Sequence, residues 1–323
     1  MLKKRTKRIL GAAVGTTAAA GVLYLGFGNL LYNKLLTREA VTKDDRPKRV
    51  LEPATRAAYE KDPSTISDCE DWYAFIEPEE YTLVASTGET VHADVIKKEG
   101  SHRWAVVIHG WTNRPQGMAN FAKWFHELGF NILLPHMRGH EKSENDNVSM
   151  GWYDRLEIID WIKYLVMLDP DAEIILHGVS MGGATVMMIT GEELPCNVKC
   201  AIEDCGYTSV YDMNVYLMGH MLHLPAFPFV SSANTVAKLR GKLDLKKASA
   251  LDQVRKSKTP TLFIHGEEDD FVPYWMLDIV YDNASCEKER LSIPEAQHAN
   301  AYDTAPELYR ATVEKFIKKY IDL

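Results

Sequence analysis

The sequence predicts an α/β protein built on a doubly wound, mostly parallel sheet of about eight strands, with a small helical cap insertion. Two observations carry this prediction. Short apolar runs of strand length alternate with longer segments of helical periodicity from about residue 80 onward, and such alternation is typical of parallel sheets covered by helices on both faces. A chain of 323 residues, 46% of them hydrophobic, can also bury one large core of this kind.

The predicted elements follow one another without internal repeats. Residues 81–86 and 90–96 alternate apolar and polar side chains around a Gly-containing turn, which predicts a β-hairpin. Further strands are predicted at 104–108, 131–134, 174–176, 198–202, 261–264 and 291–293. Helices are predicted at 118–128, 152–168, 274–281 and 306–320, and one begins at Met181. Residues 209–254 interrupt the alternation and are predicted to form the cap.

Composition excludes several classes of function. The net charge of −8, the pI near 5.8 and the lack of a basic stripe argue against a nucleic-acid partner. The 5 cysteines are odd in number and have no metal-ligand spacing, so they are predicted to be free thiols. Neither a metal nor an organic cofactor is predicted.

The N-terminus has the pattern of a membrane anchor. The first eight positions contain five cationic residues, Lys3, Lys4, Arg5, Lys7 and Arg8. Residues 9–33 carry no charge. That uncharged length exceeds the roughly 20 residues that cross a bilayer core. Cations ahead of the span favour a cytoplasmic N-terminus. Residues 1–33 are therefore predicted to be a basic n-region and transmembrane anchor, in a single-pass cell-membrane protein with its folded domain outside the cytoplasm.

Two alternatives for this segment stay open. Ala18-Ala19-Ala20 could be a signal-peptidase site, whose cleavage would give a secreted protein. The span could instead dock on a membrane face. Residues 34–79 are charged, interrupted by proline and poorly periodic, which predicts a stalk with one short helix. Residues 80–323 form the predicted globular domain.

The stretch around Ser180 has the context of a nucleophile turn. An apolar run beginning at Ile174 leads into Gly178-Val179-Ser180-Met181-Gly182, and small and apolar residues suited to a buried helix follow. A serine on such a sharp strand-to-helix turn would collide with side chains two positions before and after it, and glycine removes them. The new helix directs N–H groups at the serine, where they can stabilise negative charge.

Seven segments in a fixed order carry a resemblance to a known family. They are HGWTNRP at 109–115, RGHEKSE at 138–144, GWYDRLEIIDWI at 151–162, HGVSMGGATVMM at 177–188, EDCGYTS at 203–209, LFIHGEEDDFVP at 262–273 and AQHANAY at 296–302. Together they resemble α/β-hydrolases, in particular a bacterial membrane-anchored or secreted subgroup similar to cinnamoyl-esterase-like and prolyl-oligopeptidase-like hydrolases. The resemblance spans about residues 80–320. His136 departs from the acidic residue that relatives usually have, and Glu141 from their glycine.

In this fold the partners of the nucleophile follow in the order acid, then histidine. His298 is the one histidine that comes after the candidate acids, and it is predicted to be the base. The resemblance favours Asp269 as the acid, with Asp270 as the alternative. Asp269 would accept the imidazole N–H of His298 and stabilise the imidazolium that forms.

The oxyanion hole and the pocket complete the predicted site. Met181 is predicted to supply one backbone N–H to the oxyanion and Trp111 the other. Met218 and Leu222, within the cap, are predicted to contact the substrate. The predicted function is hydrolysis of carboxylic esters through a Ser180–His298–Asp269 triad and an acyl-enzyme. Its partners would be a small-molecule ester or a short peptide, and the membrane through the N-terminal helix. The alternatives are a prolyl-oligopeptidase-like peptidase or amidase, and an inactive membrane-tethered scaffold.

Overall fold

A single mixed sheet organises the chain. The computed structural model describes residues 2–42 and 48–323, with side chains from Ala19 onward. The strands are β1 (Glu79–Val84), β2 (Thr90–Ile96), β3 (Arg103–Ile108), β4 (Asn131–Pro135), β5 (Glu173–Val179), β6 (Val198–Asp204), β7 (Thr261–Gly266) and β8 (Lys288–Ile293). They lie in the order β1-β2-β4-β3-β5-β6-β7-β8. The pairs β1–β2 and β2–β4 are antiparallel and the rest are parallel. The predicted doubly wound, mostly parallel sheet is confirmed.

Helices precede the sheet and cover both of its faces. They are α1 (Leu2–Leu35), α2 (Arg38–Val41), α3 (Pro53–Lys61), α4 (Cys69–Ile76), α5 (Ala119–Glu127), α6 (Asp154–Leu168), α7 (Met181–Thr190), α8 (Val210–Leu222), α9 (Ala226–Gly241), α10 (Ala250–Val254), α11 (Trp275–Asn283), α12 (Ala301–Thr304) and α13 (Pro306–Ile317). Short 3₁₀ turns lie at Pro63–Thr65 and Pro115–Met118.

Successive residues of the central strands feed two hydrophobic cores, because side chains of a strand point alternately to opposite faces. In β3, Val106 packs into the core that holds Trp161 of α6. Its neighbour Val107 packs into the core that holds Phe125 of α5 and Phe316 of α13. This two-sided burial accounts for the continuous apolar runs in the sequence.

The last turns of α1 pack on the protein itself. Leu31 and Tyr32 are buried, and Leu31 shares a small apolar cluster with Val230 of α9. Gly28 permits the close approach, since a Cβ there would lie 2.4 Å from the Ser232 carbonyl oxygen. Asn29 accepts a hydrogen bond from the Arg240 guanidinium at 2.5 Å. Both apolar and polar side chains of α1 are therefore engaged by α9.

The predicted membrane anchor over residues 1–33 is wrong. Among the residues whose side chains are described, from position 19 onward, no helix is long and apolar enough to cross a bilayer. The physical reason is that the end of the apolar run is used against α9, where Tyr32 is only 1% exposed. The same finding contradicts the predicted single-pass location at the cell membrane and the membrane partner.

The segment predicted as a stalk contains three short helices, α2, α3 and α4. Trp72 and Tyr73 of α4 are buried in the core beside α5. The sequence gives little periodicity here because helices of 9 residues or fewer complete only about two turns. Residues 43–47 of the predicted stalk lie outside the described residues.

The interval 209–254 holds α8, α9 and α10 between β6 and β7. Helix α8 begins where the Ser209 hydroxyl accepts the Asp212 N–H at 3.0 Å, an N-cap. Because α1 lies against α9, helices α1, α8 and α9 together form the layer above the carboxyl ends of the strands.

The packing of α1 on α9 can be tested with two matched glycines. Gly28→Ala should lower the free energy of unfolding by about 1–3 kcal/mol, because its new methyl group overlaps the α9 backbone. Gly26→Ala, where a Cβ meets nothing within 4 Å, should be neutral or raise it by up to about 1 kcal/mol through helix propensity. Thermal unfolding followed by circular dichroism checks both, and equal effects of the two substitutions would contradict the packing.

Candidate active site

Ser180 lies on a strained turn between β5 and α7. Its backbone has φ 59° and ψ −117°, a region that non-glycine residues rarely adopt. A Cβ at Gly178 would lie 2.3 Å from the Gly182 carbonyl oxygen, and one at Gly182 would lie 2.1 Å from the Ile108 carbonyl oxygen. The turn therefore requires glycine at both positions, as the sequence predicts, and it raises the serine hydroxyl above the end of β5.

Three side chains that are distant in sequence meet at this turn. Ser180 Oγ lies 2.8 Å from His298 Nε2, and His298 Nδ1 lies 2.7 Å from Asp269 Oδ2. Asp269 follows β7, and His298 lies in the loop between β8 and α12. Since β5, β7 and the β8 loop reach the same edge of the sheet, the fold brings the three together. Asp270, the alternative acid, is exposed, and its carbonyl accepts the Tyr216 hydroxyl at 2.9 Å.

Asp269 is held in its ionised form. Oδ1 accepts the N–H groups of Phe271 at 3.0 Å and of Val272 at 2.8 Å. A second imidazole, His265, places Nε2 3.2 Å from Oδ2. Burial by itself would raise the pKa of Asp269, but the hydrogen bonds and charges of His265 and His298 outweigh it and lower the pKa to about 2. The carboxylate is thus charged and aligned to receive the His298 N–H.

The two residues predicted for the oxyanion hole flank the serine. Met181 is the first residue of α7, and Trp111 follows Gly110 after β3; both line the cavity at Ser180. Within the described part of the chain, neither backbone N–H donates to a protein acceptor. A Cβ at Gly110 would lie 3.3 Å from the Ser180 Cβ, so glycine keeps this loop close to Ser180. Both N–H groups therefore remain free for a ligand.

An apolar cavity opens beside Ser180. Its other lining residues come from α1, the start of α7, α8 and the loops at the sheet edge, and they are Leu35, Leu36, Trp111, Met150, Met181, Tyr207, Met213, Asn214, Leu217, Phe271 and Val272. Three of these side chains, those of Trp111, Tyr207 and Asn214, donate a hydrogen bond to a backbone carbonyl. The Tyr207 hydroxyl donates to the Met150 carbonyl at 2.9 Å, and the Asn214 amide donates to the Val210 carbonyl at 2.7 Å.

The predicted pocket residues Met218 and Leu222 do not line this cavity. Met218 packs with Leu31 and Val230 between α8 and the α1–α9 pair, and Leu222 is 56% exposed. From α8, Met213 and Leu217 line the cavity instead, four residues apart on one helical face. Apolar side chains occur on both faces of α8, so the sequence alone did not show which face borders the cavity. That depends on how α8 docks on the rest of the protein.

Comparison with known proteins identifies the family. The model of the prolyl oligopeptidase family matches residues 118–323. The chain belongs to the prolyl oligopeptidase family. It is 26% identical to YqkD of Bacillus subtilis over 218 residues, which is 67% of this chain and 72% of YqkD. It is 23% identical to the thermostable monoacylglycerol lipase of Bacillus sp. strain H-257 over 229 residues, which is 66% of this chain and 90% of the lipase.

The fold is shared with solved hydrolases. The Pyrococcus furiosus esterase Pf2001 matches with a TM-score of 0.63 at 18% identity, covering 85% of this chain and 98% of the esterase. The predicted α/β-hydrolase fold and family resemblance are therefore confirmed, and this member of the prolyl oligopeptidase family is a hydrolase.

In this prolyl oligopeptidase family member, one group of potential metal ligands occurs among the described residues: Cys205, Asp269 and His298, whose ligand atoms lie within 4.8 Å of one another. Burial raises the pKa of the Cys205 thiol, and the charges of Asp204 and Asp269 raise it further, so the sulfur stays protonated. The Asp269–His298 hydrogen bond occupies Nδ1. The group is therefore suited to a hydrogen-bonded relay rather than to binding a cation.

Beneath the relay lies a set of buried ionisable groups that the sequence analysis missed. Burial raises the pKa of Glu203 to about 8 and that of Asp204 to about 6. Asp204 accepts the Tyr309 hydroxyl at 3.0 Å, and Glu203 accepts the Gly206 N–H at 3.0 Å. Two features of the sequence could have predicted these buried groups. They are a histidine, His265, within the apolar strand β7 and two acids at the end of the buried strand β6.

The raised pKa of Glu203 predicts how stability depends on pH. Below the ordinary value of 4.5 the carboxyl is protonated both folded and unfolded; between 4.5 and about 8 only the unfolded chain releases the proton. The free energy of unfolding of the wild-type protein should therefore fall as the pH rises through this range, by at most about 1.4 kcal/mol per pH unit. The fall is measured relative to Glu203→Gln, which has no such carboxyl. Urea unfolding at pH 5 and pH 8 measures the difference. The exposed Glu193→Gln is the control; if both variants parallel wild type, the buried-proton assignment is wrong.

Proposed function

We propose that this member of the prolyl oligopeptidase family cleaves carboxylic esters by way of a covalent acyl-enzyme. The observation that carries the proposal is the unbroken relay from Ser180 Oγ to His298 Nε2 at 2.8 Å and from His298 Nδ1 to Asp269 Oδ2 at 2.7 Å. A serine hydroxyl is a weak nucleophile until a positioned base takes its proton, and these distances suit that transfer.

The reaction follows from the geometry. Ser180 Oγ attacks the acyl carbon while its proton moves to His298 Nε2, and Asp269 stabilises the imidazolium through Nδ1–H. The oxyanion that forms on the former carbonyl oxygen accepts the N–H groups of Met181 and Trp111. When the tetrahedral intermediate collapses, the C–O bond to the alcohol breaks and His298 gives its proton to the leaving oxygen. Water then attacks the acyl-enzyme with His298 again as base, and the acid is released from Ser180.

The cavity favours esters with an apolar substituent. A peptidase that recognises a free amino terminus needs a carboxylate beside the scissile bond, because a buried ammonium group without a partner is unstable. The residues that line the described cavity include no Asp, Glu, Lys or Arg. The polar ends of Tyr207 and Asn214 already bond to backbone. An aliphatic or aromatic acyl or alcohol group therefore fits these walls better than a charged one.

The nucleophile can be tested by covalent labelling. Wild-type protein should react with a fluorophosphonate probe and hydrolyse p-nitrophenyl butyrate, because the relay activates Ser180. Ser180→Ala should lose the label and about 10⁴-fold or more in kcat. Ser86→Ala, which changes an exposed serine in the β1–β2 turn, should keep both. Failure of the wild-type protein to label would instead favour the inactive scaffold.

The preference for esters can be tested with substrates matched in their acyl groups. For p-nitrophenyl esters and p-nitroanilides of butyrate and of alanine, kcat/KM should be highest for p-nitrophenyl butyrate. It should be about 100-fold lower for the alaninyl compounds, because their ammonium group would be desolvated against apolar walls. Initial rates measured by nitrophenol and nitroaniline absorbance give the comparison. Equal or faster cleavage of alanine p-nitroanilide would identify an aminopeptidase instead.

A further inference from the structure

We propose that the end of helix α1 is a wall of the substrate cavity, and that Leu35 and Leu36 determine the length of the apolar group that the site accepts. This inference rests on the proposed ester hydrolysis at Ser180. It assigns specificity to a segment outside residues 118–323, the part of the chain that matches the family. The specificity of this hydrolase would thus be set by its own N-terminal extension.

The two leucines face the nucleophile across the cavity. Leu35 and Leu36 line the same space as Ser180, together with Met213 and Leu217 of α8. Leu36 is buried and belongs to the large core, while Leu35 is half-buried and packs against that core. An apolar group extending from a carbonyl at Ser180 would therefore lie between α8 and the end of α1.

Hydrogen bonds fasten this wall to the active-site loops. The Trp111 indole Nε1 donates to the Leu35 carbonyl at 3.2 Å, so the oxyanion-loop residue is tied directly to α1. The Leu36 carbonyl accepts the Val148 N–H at 3.0 Å. One residue later, the short bridge between Thr37 and Asn147 continues this pairing. The wall therefore has a defined position relative to the nucleophile.

Arg38 locks the same segment to the loop that follows β4. Its N–H donates to the Asp146 carbonyl at 2.8 Å, and its guanidinium donates to the carbonyls of Glu141 and Ser143. Glu141 has φ +39°, a conformation that favours glycine, and its carboxylate pairs with Lys48 at 2.6 Å. Glu141, whose backbone adopts a conformation that favours glycine, thus holds the segment that contains Arg38 and Lys48.

A second set of contacts fixes the helix one turn earlier. The Arg240 guanidinium of α9 donates to Asn29 Oδ1 at 2.5 Å and to Asn33 Oδ1 at 2.6 Å. It also lies over the Tyr32 ring, 4.3 Å from the centroid, and the Tyr32 hydroxyl donates to Asn147. Contacts from both α9 and the 141–148 loop therefore hold the end of α1 in place, which is what a size-selecting wall requires.

Removing part of this wall should change chain-length preference in a defined direction. Each methylene buried in an apolar cavity changes affinity about fourfold. Leu35→Ala removes three carbons at the cavity, so the acyl chain of highest kcat/KM should become longer by about two carbons. Leu35→Phe fills the space and should make the preferred chain shorter. Leu30→Ala on the same helix changes a leucine that is 51% exposed and outside the cavity, and is the matched control.

Two measurements on the full chain separate this inference from the proposed function. The first is kcat/KM for p-nitrophenyl esters from acetate to dodecanoate. The second is the dissociation constant of 1-alkanols from butanol to decanol, measured calorimetrically in the Ser180→Ala background, which needs no turnover. Circular dichroism melts establish that each variant is folded, and Leu35→Phe remains informative if Leu35→Ala unfolds.

The outcomes are distinct. The proposal is supported if Leu35→Ala and Leu35→Phe shift the preferred chain length in opposite directions in both series, and Leu30→Ala leaves it unchanged. If the wild type hydrolyses none of the esters but the alkanol profile still shifts, ester hydrolysis is wrong and the wall stands. The inference is overturned if folded Leu35 variants in the Ser180→Ala background keep the alkanol profile of Ser180→Ala itself. It is also overturned if Ser180→Ala with Leu35 intact binds no alkanol of any length.

Discussion

The structure depends on one close approach of backbone segments at the end of β5. Gly178, Gly182 and the carbonyl of Ile108 lie nearer to one another than any Cβ would permit. The strain at Ser180, with φ 59°, persists because β3 and β6 flank β5 on either side, and α7 packs behind the turn. Ser180 N–H also donates to the Asp204 carbonyl at 2.8 Å, which ties the turn to β6. The position of Ser180 is thus a property of the sheet rather than of a flexible loop.

At the same edge of the sheet, buried carboxyl groups have different pKa values because their surroundings differ. Asp269 is surrounded by N–H donors and two imidazoles, and its pKa falls to about 2. Glu203 and Asp204 lie deeper with fewer donors, so burial dominates and raises their pKa values to about 8 and about 6. Acids in different environments can thus hold different charges at one pH. His265 lies between the two sets, with Nε2 3.2 Å from Asp269 Oδ2. Burial by itself would lower the pKa of His265, but the hydrogen bond to Asp269 and the neighbouring negative charge outweigh burial and raise it.

Helix α1 lies outside residues 118–323, the part of the chain that matches the family. The helix forms a layer with α8 and α9, and its last residue, Leu35, and the following Leu36 line the cavity beside Ser180. A run of small and apolar residues suits a bilayer and a helix–helix interface alike, because both remove it from water. Here Gly28 fits against the α9 backbone, as small residues do wherever helices approach closely. Hydropathy alone does not separate these two environments.

Local patterns in the sequence determined the sheet and the order of its elements, because strand and helix periodicities are encoded within a few positions. Turn residues and motif order likewise determined the glycines around Ser180 and the candidates His298 and Asp269. The meeting of those three side chains and the burial of Glu203 and His265 required the fold, since they are contacts between residues far apart in the chain. The cavity face of α8, with Met213 and Leu217 in place of Met218 and Leu222, depended on how that helix docks. The location of α1 also depended on tertiary packing. An apolar helix is stable against any surface that excludes water, and only the packing specifies which surface it contacts.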